Sequence, residues 1–537
     1  MILAFIGLIT CSIAWGPCLA PWQTKCFTGG AWGDYKFHYQ GWVAYLNSSS
    51  FIPPYIQNFS WPANSSAMFM DSIPLVAIIF KPFILLFHLP AWQYFSFLSV
   101  VNAFLISWCS ARIGQELQWK PVSTFCLGIV LLTSSLSWTR LLVHHEALQL
   151  HGILILAMTW IIIRQTSLVR WLALLVISVG IHAYFVPMVV CAMMPSVVSG
   201  KQRPKSLLLI CLSTLLAIVL FGFLPGSASS RSDVWGANLL ALIDPQTHSS
   251  IFSALVKKEP YEIEGYSYLG AGVILSLILV VSRGPVHSQQ QNLFPRSWWL
   301  LSLFLFIFAL GHTWNIADTP IIPHKAMLII PGAAQLFDVF RSSGRYAWPL
   351  AYTLTVWLFS RIDKYKDASL LALIAVILQL LDSNLKTVYR LGTHFSNIMT
   401  SPNPTLEWAR KNSVLASSIS NAAMLVVGQV KDEKSLPPLY TPLYLNPTIV
   451  SNWGSVSART PNAAAHAASA FDHWIDLVRS RDKTLLLPNC HLSDKCHTVL
   501  ITDHKDQIKK LNQLSMQGLL QIQSIAPSAF KVHIRYE

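Results

Sequence analysis

Several groups of polar side chains interrupt an otherwise apolar chain, and their types suit chemistry on a hydroxyl or a phosphate. In Gly33-Asp34-Tyr35-Lys36-Phe37-His38-Tyr39-Gln40-Gly41-Trp42 an acid and an imidazole lie four residues apart, which on a helix puts both on one face. Asp34 suits a general base toward an acceptor hydroxyl, with His38 orienting it or binding substrate. Met70-Asp71-Ser72-Ile73-Pro74 follows. Asp71 fits the N-cap of a helix begun by Pro74, a second acid in the same cavity, or both.

Arg140-Leu-Leu-Val-His144-His145-Glu146-Ala-Leu-Gln-Leu-His151 opens an apolar run. Such a concentration of charge at a helix mouth is costly unless it faces a polar cavity. On a regular helix His144 and His151 share a face and His145 lies on another. Hydrogen bonding to a substrate is the expected role. A divalent cation is a further option, but the spacing matches no established ligand pattern, and no metal ligand is assigned. His182, in His182-Ala-Tyr184, joins from the next turn.

Two more groups complete the set. Tyr261-Glu262-Ile-Glu264-Gly265-Tyr266-Ser-Tyr268-Leu-Gly270-Ala-Gly272 combines carboxylates and phenol rings that suit a sugar. Its glycines permit close backbone approach, which also serves plain helix packing. In Phe340-Arg341-Ser-Ser-Gly344-Arg345 the arginines are four apart and can share a helix face. Their guanidinium forks fit a phosphate, and Lys325 lies in the same loop. Anchoring to lipid headgroups is the plainer use of these cations.

The elements that must position these residues are apolar helices. Of 537 residues 53% are hydrophobic and 12% charged, with mean hydropathy +0.47; the charged share is about half the soluble norm. The formal charge is 38 − 24 = +14, but the basic residues punctuate loops, and no nucleic-acid motif accompanies them. A polytopic membrane protein is the class implied. Segment 2–20 reads as a retained first helix. Segment 73–89, interrupted by Lys81-Pro82, reads as a broken or interfacial piece rather than a span. Spans are expected near 92–111, 121–138, 147–163, 171–183, 184–198, 206–224, 268–282, 297–312, 346–360 and 368–382. The pair from 171 to 198 could instead be one tilted helix.

With the N-terminus inside, the basic loops at 112–120, 164–170, 201–205, 283–296 and 361–366 all fall on one side. The fold expected is mainly α, a bundle of about eleven spans, N-in and C-out, with a small α/β domain at the C-terminus. The membrane domain is 1–384, including a first outer loop at 21–72, and the exported domain is 385–537. Cys490 and Cys496 in that tail are candidates for a short-loop disulfide.

The order Gly-Asp…His, Asp-Ser-Ile-Pro, His-x-Ala-Leu-x-x-His, Glu-Gly-Tyr-x-Tyr-Leu-Gly and Ser-Gly-Arg-Tyr-x-Trp-Pro resembles a bacterial family of polytopic membrane proteins of unknown function. That family is similar to GT-C glycosyltransferases. The resemblance covers about residues 30–385. It implies sugar transfer from a polyprenyl-phosphate-linked donor to an outer glycan, lipid or protein acceptor at the bacterial inner membrane. Asp34 matches the position of the catalytic acid. The acid often found at a later outer helix start is replaced here by the His144–His151 stretch. The resemblance thus implies Asp34 as the catalytic acid; from their own chemistry His38 and Asp71 are expected beside it, with Arg345 and Arg341 on the carrier phosphate. A transporter or flippase for an anionic lipid-linked glycan, and a non-catalytic envelope assembly factor, are the competing classes.

Overall fold

The computed structural model describes residues 1–28, 35–56, 66–197, 203–222, 235–256, 264–284, 293–311, 313–322, 337, 340–422, 424–427, 450–451, 463–480, 498–502, 505–517, 520–526 and 529–534. The apolar runs are helical, as they must be where lipid offers the backbone no hydrogen-bond partner. Among the described residues four helical stretches are long and apolar enough to cross a membrane: Ile2–Leu19, Phe95–Glu116, Pro121–Leu142 and Ala368–Thr400. Pro74–Leu86, Ala147–Ile162, Leu168–Ile181, Phe185–Val197, Pro204–Leu220, Ala271–Ser282 and Arg296–Ala309 are apolar but shorter.

The count of about eleven full-length spans is therefore corrected. Turns cut the apolar runs into shorter helices. The run at 147–163 begins as a 3-10 turn, Ala147–Gln149, and becomes α-helical only over Gly152–Ile162. Those 11 residues fall short of the roughly 20 that a span needs. The stretch 171–198 is two helices, broken where His182 adopts an extended backbone (φ −165°, ψ 132°).

The chain forms two compact units. The first comprises Met1–Gln23, Tyr94–Ala217 and Ser230–Asn397; the second comprises Thr24–Gln93, Ile218–Ser229 and Ile398–Glu537. The boundary expected at 384/385 falls inside the continuous helical stretch Ala368–Thr400. Most of the first loop groups with the tail.

In the first unit, Trp15 stacks on Phe395 with ring centroids 4.7 Å apart. A Cβ on Gly272 would lie 2.0 Å from the Ala375 carbonyl, so that glycine serves close helix packing. The last helix carries a π-helical turn, Leu380–Asn384, and its buried polar residues tie distant segments together. Gln379 Nε2 donates to Leu269 O (3.0 Å) and its Oε1 accepts from Val273 N (3.2 Å). Asn384 Nδ2 donates to Thr133 Oγ1 (2.9 Å), and its Oδ1 accepts from Ser135 N (3.3 Å). Asp382 Oδ2 accepts from the Tyr268 hydroxyl and from Ala271 N, each at 2.9 Å. Its Oδ1 accepts from the Ser249 hydroxyl and from Ile251 N.

In the second unit, helices Tyr35–Leu46 and Pro74–Leu86 lie side by side. Lys81-Pro82 does not break the second of these helices. The ammonium turns inward instead, onto the carbonyls of Tyr45 (2.8 Å), Ser48 (2.7 Å) and Ser50 (2.7 Å). Ile79, Phe83 and Leu86 remain exposed. Asp71 is not the N-cap of this helix. It ends the 3-10 turn Ala67–Met70 with φ 51°, and Ile73 takes the N-cap position without a side-chain bond. Pro74 does occupy the first turn.

The tail holds strands β3 (Met424–Val427), β4 (Val450–Ser451), β5 (Thr498–Ile501), β6 (Leu520–Ala526) and β7 (Ala529–Ile534), numbered after a hairpin of β1 (Trp314–Ile316) and β2 (Thr319–Ile322) in the first unit. The sheet order is β4-β3-β5-β7-β6, with β3 parallel to β4 and β5, and the pairs β5–β7 and β7–β6 antiparallel. Phe471, Trp474 and Val478 of helix Ala463–Ser480, with Leu511 and Leu514 of helix Lys505–Met516, pack on Met424, Val426, Leu500 and Val532. A small α/β domain is present as expected. The strand expected at 484–487, with Cys490 and Cys496, lies outside the described residues.

Candidate anion-binding site

The first unit brings together four side chains from three distant segments. Arg140 is in the last turn of helix Ser135–Leu142 and is fully buried. Its Nη1 donates to Glu264 Oε2 at 3.0 Å. Arg345 comes from the 3-10 turn Ser343–Ala347, and its Nε and Nη2 reach the same oxygen at 2.9 and 2.8 Å. His145 Nε2 lies 3.3 Å from the other oxygen, Oε1. Glu264 is 6% exposed.

The backbone explains how these residues meet. His145 N bonds to Arg140 O (2.8 Å), which folds the chain back at the end of its helix. Gly265 and Gly344 abut: a Cβ on Gly344 would stand 2.5 Å from Gly265 Cα. Any larger residue there would separate the neighbours, Glu264 and Arg345. Residue 235 crosses the join, with Trp235 N bonding to Arg341 O (2.8 Å) and Gly344 N to Trp235 O (3.0 Å). Trp348 Nε1 donates to Tyr266 O (3.2 Å), and its ring lies 5.5 Å from the Arg140 guanidinium. Tyr184 presents its ring to Arg345 at 4.4 Å, a cation–π contact that fixes the plane of the fork.

Burial alone would raise the Glu264 carboxyl, but Arg345, His145 and Arg140 outweigh it and hold the group well below the usual carboxylate range. Two guanidinium groups and an imidazole thus meet one carboxylate in a desolvated place. Such a cluster adds little net stability, because the cost of desolvation offsets the attraction. Both arginines would repel a divalent cation at short range. Among the described residues His144, His145 and Glu146 form no three-ligand group.

The other expected site residues are distributed as follows. His144 does not share a helix face with His151, because 144–151 is turn and 3-10 structure; its ring stacks on His394 at 5.5 Å. His151 Nδ1 pairs with the Tyr352 hydroxyl at 2.7 Å, and its ring packs on Trp348 at 4.3 Å. His182 Nδ1 accepts from Tyr184 N at 3.2 Å. Tyr266 donates to Ser135 Oγ (3.2 Å) and Tyr268 to Asp382, so neither hydroxyl is on Glu264. Arg341 and Arg345 do not share a helix face, since only Arg345 is in the 3-10 turn; Arg341 lies over Trp235 at 4.9 Å.

His38 and Asp71 belong to the second unit. There His38 is buried, its Nε2 is 3.7 Å from Asp71 Oδ2, and its carbonyl accepts from Ser72 Oγ at 2.6 Å. Asp34 and Lys325 lie outside the described residues. Asp382, Gln379 and Asn384 were not anticipated. Their signal was a Gln followed by an Asp-Ser-Asn run at the end of an apolar segment, where the sequence suggests a domain boundary. His248 was missed as well; it is a buried loop imidazole 4.8 Å from the Tyr266 ring.

Fold and site together define a helical protein with membrane-length apolar segments and a buried polar cluster of two arginines, a histidine and a glutamate. The chain belongs to the DUF6311 family, a domain of unknown function, whose family model matches residues 3–384. The matched range includes all four residues of the cluster. No curated protein and no solved structure matches the chain.

Proposed function

We propose that this protein is a membrane glycosyltransferase of GT-C type. It takes a sugar from a polyprenyl-phosphate-linked donor and passes it to an extracytoplasmic glycan, lipid or protein acceptor at a bacterial inner membrane, with an N-in, C-out orientation. The observation that carries the reading is the pair of buried guanidinium groups, Arg140 and Arg345, sharing one carboxylate. Guanidinium groups suit the phosphate of a lipid carrier, both as substrate and as leaving group. In the reaction, an acceptor oxygen loses its proton to Asp34 and bonds to the anomeric carbon. The carbon–oxygen bond to phosphate breaks, and the carrier phosphate leaves toward Arg345.

The test is a transfer assay in membrane vesicles charged with radiolabelled polyprenyl-phosphate sugars. Arg345→Ala and Asp34→Asn should each abolish label transfer while leaving membrane insertion intact. Transfer at the normal rate in either variant would remove the assignment. The same vesicles separate the alternatives: a flippase moves the lipid-linked sugar across the bilayer without consuming it, and an assembly factor does neither.

A further inference from the structure

A second surface of the first unit points to a lipid ligand, and it stands whether or not sugar transfer occurs. The helical stretch Ala368–Thr400 bears an exposed apolar stripe through Leu370, Ile374, Ile377, Leu381 and Leu385, the spacing of one helix face. Its 33 residues extend about 50 Å, against a hydrocarbon core of about 30 Å. The stretch starts just after Asp367, which is exposed and paired with Arg283 at 3.0 Å. Measured from that surface end, Asp382 lies about 21 Å along, Lys386 about 27 Å and Arg390 about 33 Å. The two cations thus reach the level of the far headgroups, and Asp382 lies below them.

Loop 235–256 is stitched to this part of the helix. Ser250 N donates to Asp382 O (2.9 Å) and Ile251 N to Asp382 Oδ1 (3.3 Å). Lys386 Nζ donates to Ser249 O (2.5 Å) and Arg390 Nη1 to Thr247 O (3.3 Å). Although the loop is no span, it exposes Ile243, Ile251, Phe252 and Leu255 at 45%, 45%, 38% and 45%. Four exposed apolar side chains on a loop bonded to an apolar helix of membrane-spanning length are not expected to face water.

We infer that the 243–255 loop is seated in the boundary between headgroups and acyl chains, with Lys386 and Arg390 on the phosphate of an anionic phospholipid. The depth matches that of other interfacial segments, whose apolar side chains reach 5–10 Å below the headgroups. Two cations next to the apolar tip give the charge complementarity that selects an anionic lipid.

The test uses the full chain in phosphatidylcholine vesicles, with and without phosphatidylglycerol. A ketone-bearing residue encoded at position 252 carries a nitroxide. Oxygen is expected to collide with that label more often than a water-soluble nickel chelate does, as for the same label at position 377. Predominance of nickel collisions would overturn the seating. So would a label that neither reagent reaches, which would mean protein covers the loop. In the second arm, phosphatidylglycerol co-purifying from mixed vesicles is measured by mass spectrometry. Lys386→Gln combined with Arg390→Gln should lower it about tenfold relative to phosphatidylcholine. Equal retention would remove the headgroup assignment, and the label arm, which keeps both cations, still decides the seating.

Discussion

Glu264 and Asp382 are both buried carboxylates, 6% and 0% exposed, yet their surroundings are opposite. Asp382 meets two hydroxyls and two backbone amides, neutral donors that saturate both oxygens. Glu264 meets two guanidinium groups and an imidazole. The first arrangement closes on itself and fixes loops 249–251 and 268–271 to the last helix. The second is built from charged partners. Burial of a carboxylate therefore does not by itself tell a neutral structural knot from a charged cluster; the charge of its partners does.

Breaking the charged set should cost most. Glu264→Gln leaves two buried cations facing each other, a loss of about 3–5 kcal/mol, read as a lower melting temperature in detergent. Replacing Arg345 by Met in the same chain should recover part of it. A loss no larger than that of a surface substitution would erase the contrast between the two carboxylates.

Acidification should come next. Burial, then Arg390, Arg140 and Lys386, push the His248 imidazole down from 6.5 to about 4. The unfolded chain takes up that proton near pH 6.5, while the folded one does so only near pH 4. Stability should thus fall as pH drops through that window, by up to about 3 kcal/mol, and stay level above it. Glu264 has the opposite sign of charge and a depressed carboxyl. Its contribution is complete above the ordinary carboxylate value and is lost only as pH falls below it. His248→Gln should therefore flatten the upper part of the acid limb, from pH 6.5 to about 4.5, and spare the lower part. An unchanged profile in that variant would place the titrating group elsewhere.

Gly344→Ala tests geometry without touching a charge. Its Cβ would meet Gly265 Cα at 2.5 Å, so the join must spread, at about 2 kcal/mol. Guanidinium modification of Arg345 by a dicarbonyl reagent should become faster. Mildest of all should be Tyr268→Phe. It removes one of four donors to Asp382 and should cost about 1 kcal/mol in a melting experiment. A cost equal to that of Glu264→Gln would mean that the neutral knot is as critical as the charged cluster.

Much of the site was legible before the fold. Arg140, His145, Glu264 and Arg345 were all singled out as charged groups at the borders of apolar runs, where desolvation demands partners. What could not be read was which of them pair. His144 and His145 are adjacent, yet one stacks on His394 and the other joins Glu264. Helix periodicity does not apply to the turn in which they lie. The fold was legible to the same extent. Apolar composition announced helices, but 3-10 turns and His182 shortened them below spanning length.

Composition alone determined that long stretches of this chain must satisfy their backbones as helices, and that its few charges must gather or face water. Tertiary structure alone decided the choice between Arg341 and Arg345. They lie four residues apart, but one covers Trp235 while the other reaches Glu264. The physical reason is that a sequence interval sets direction only along regular backbone. The contact of Gly265 with Gly344, 79 residues apart, depends on segments whose meeting no local pattern encodes.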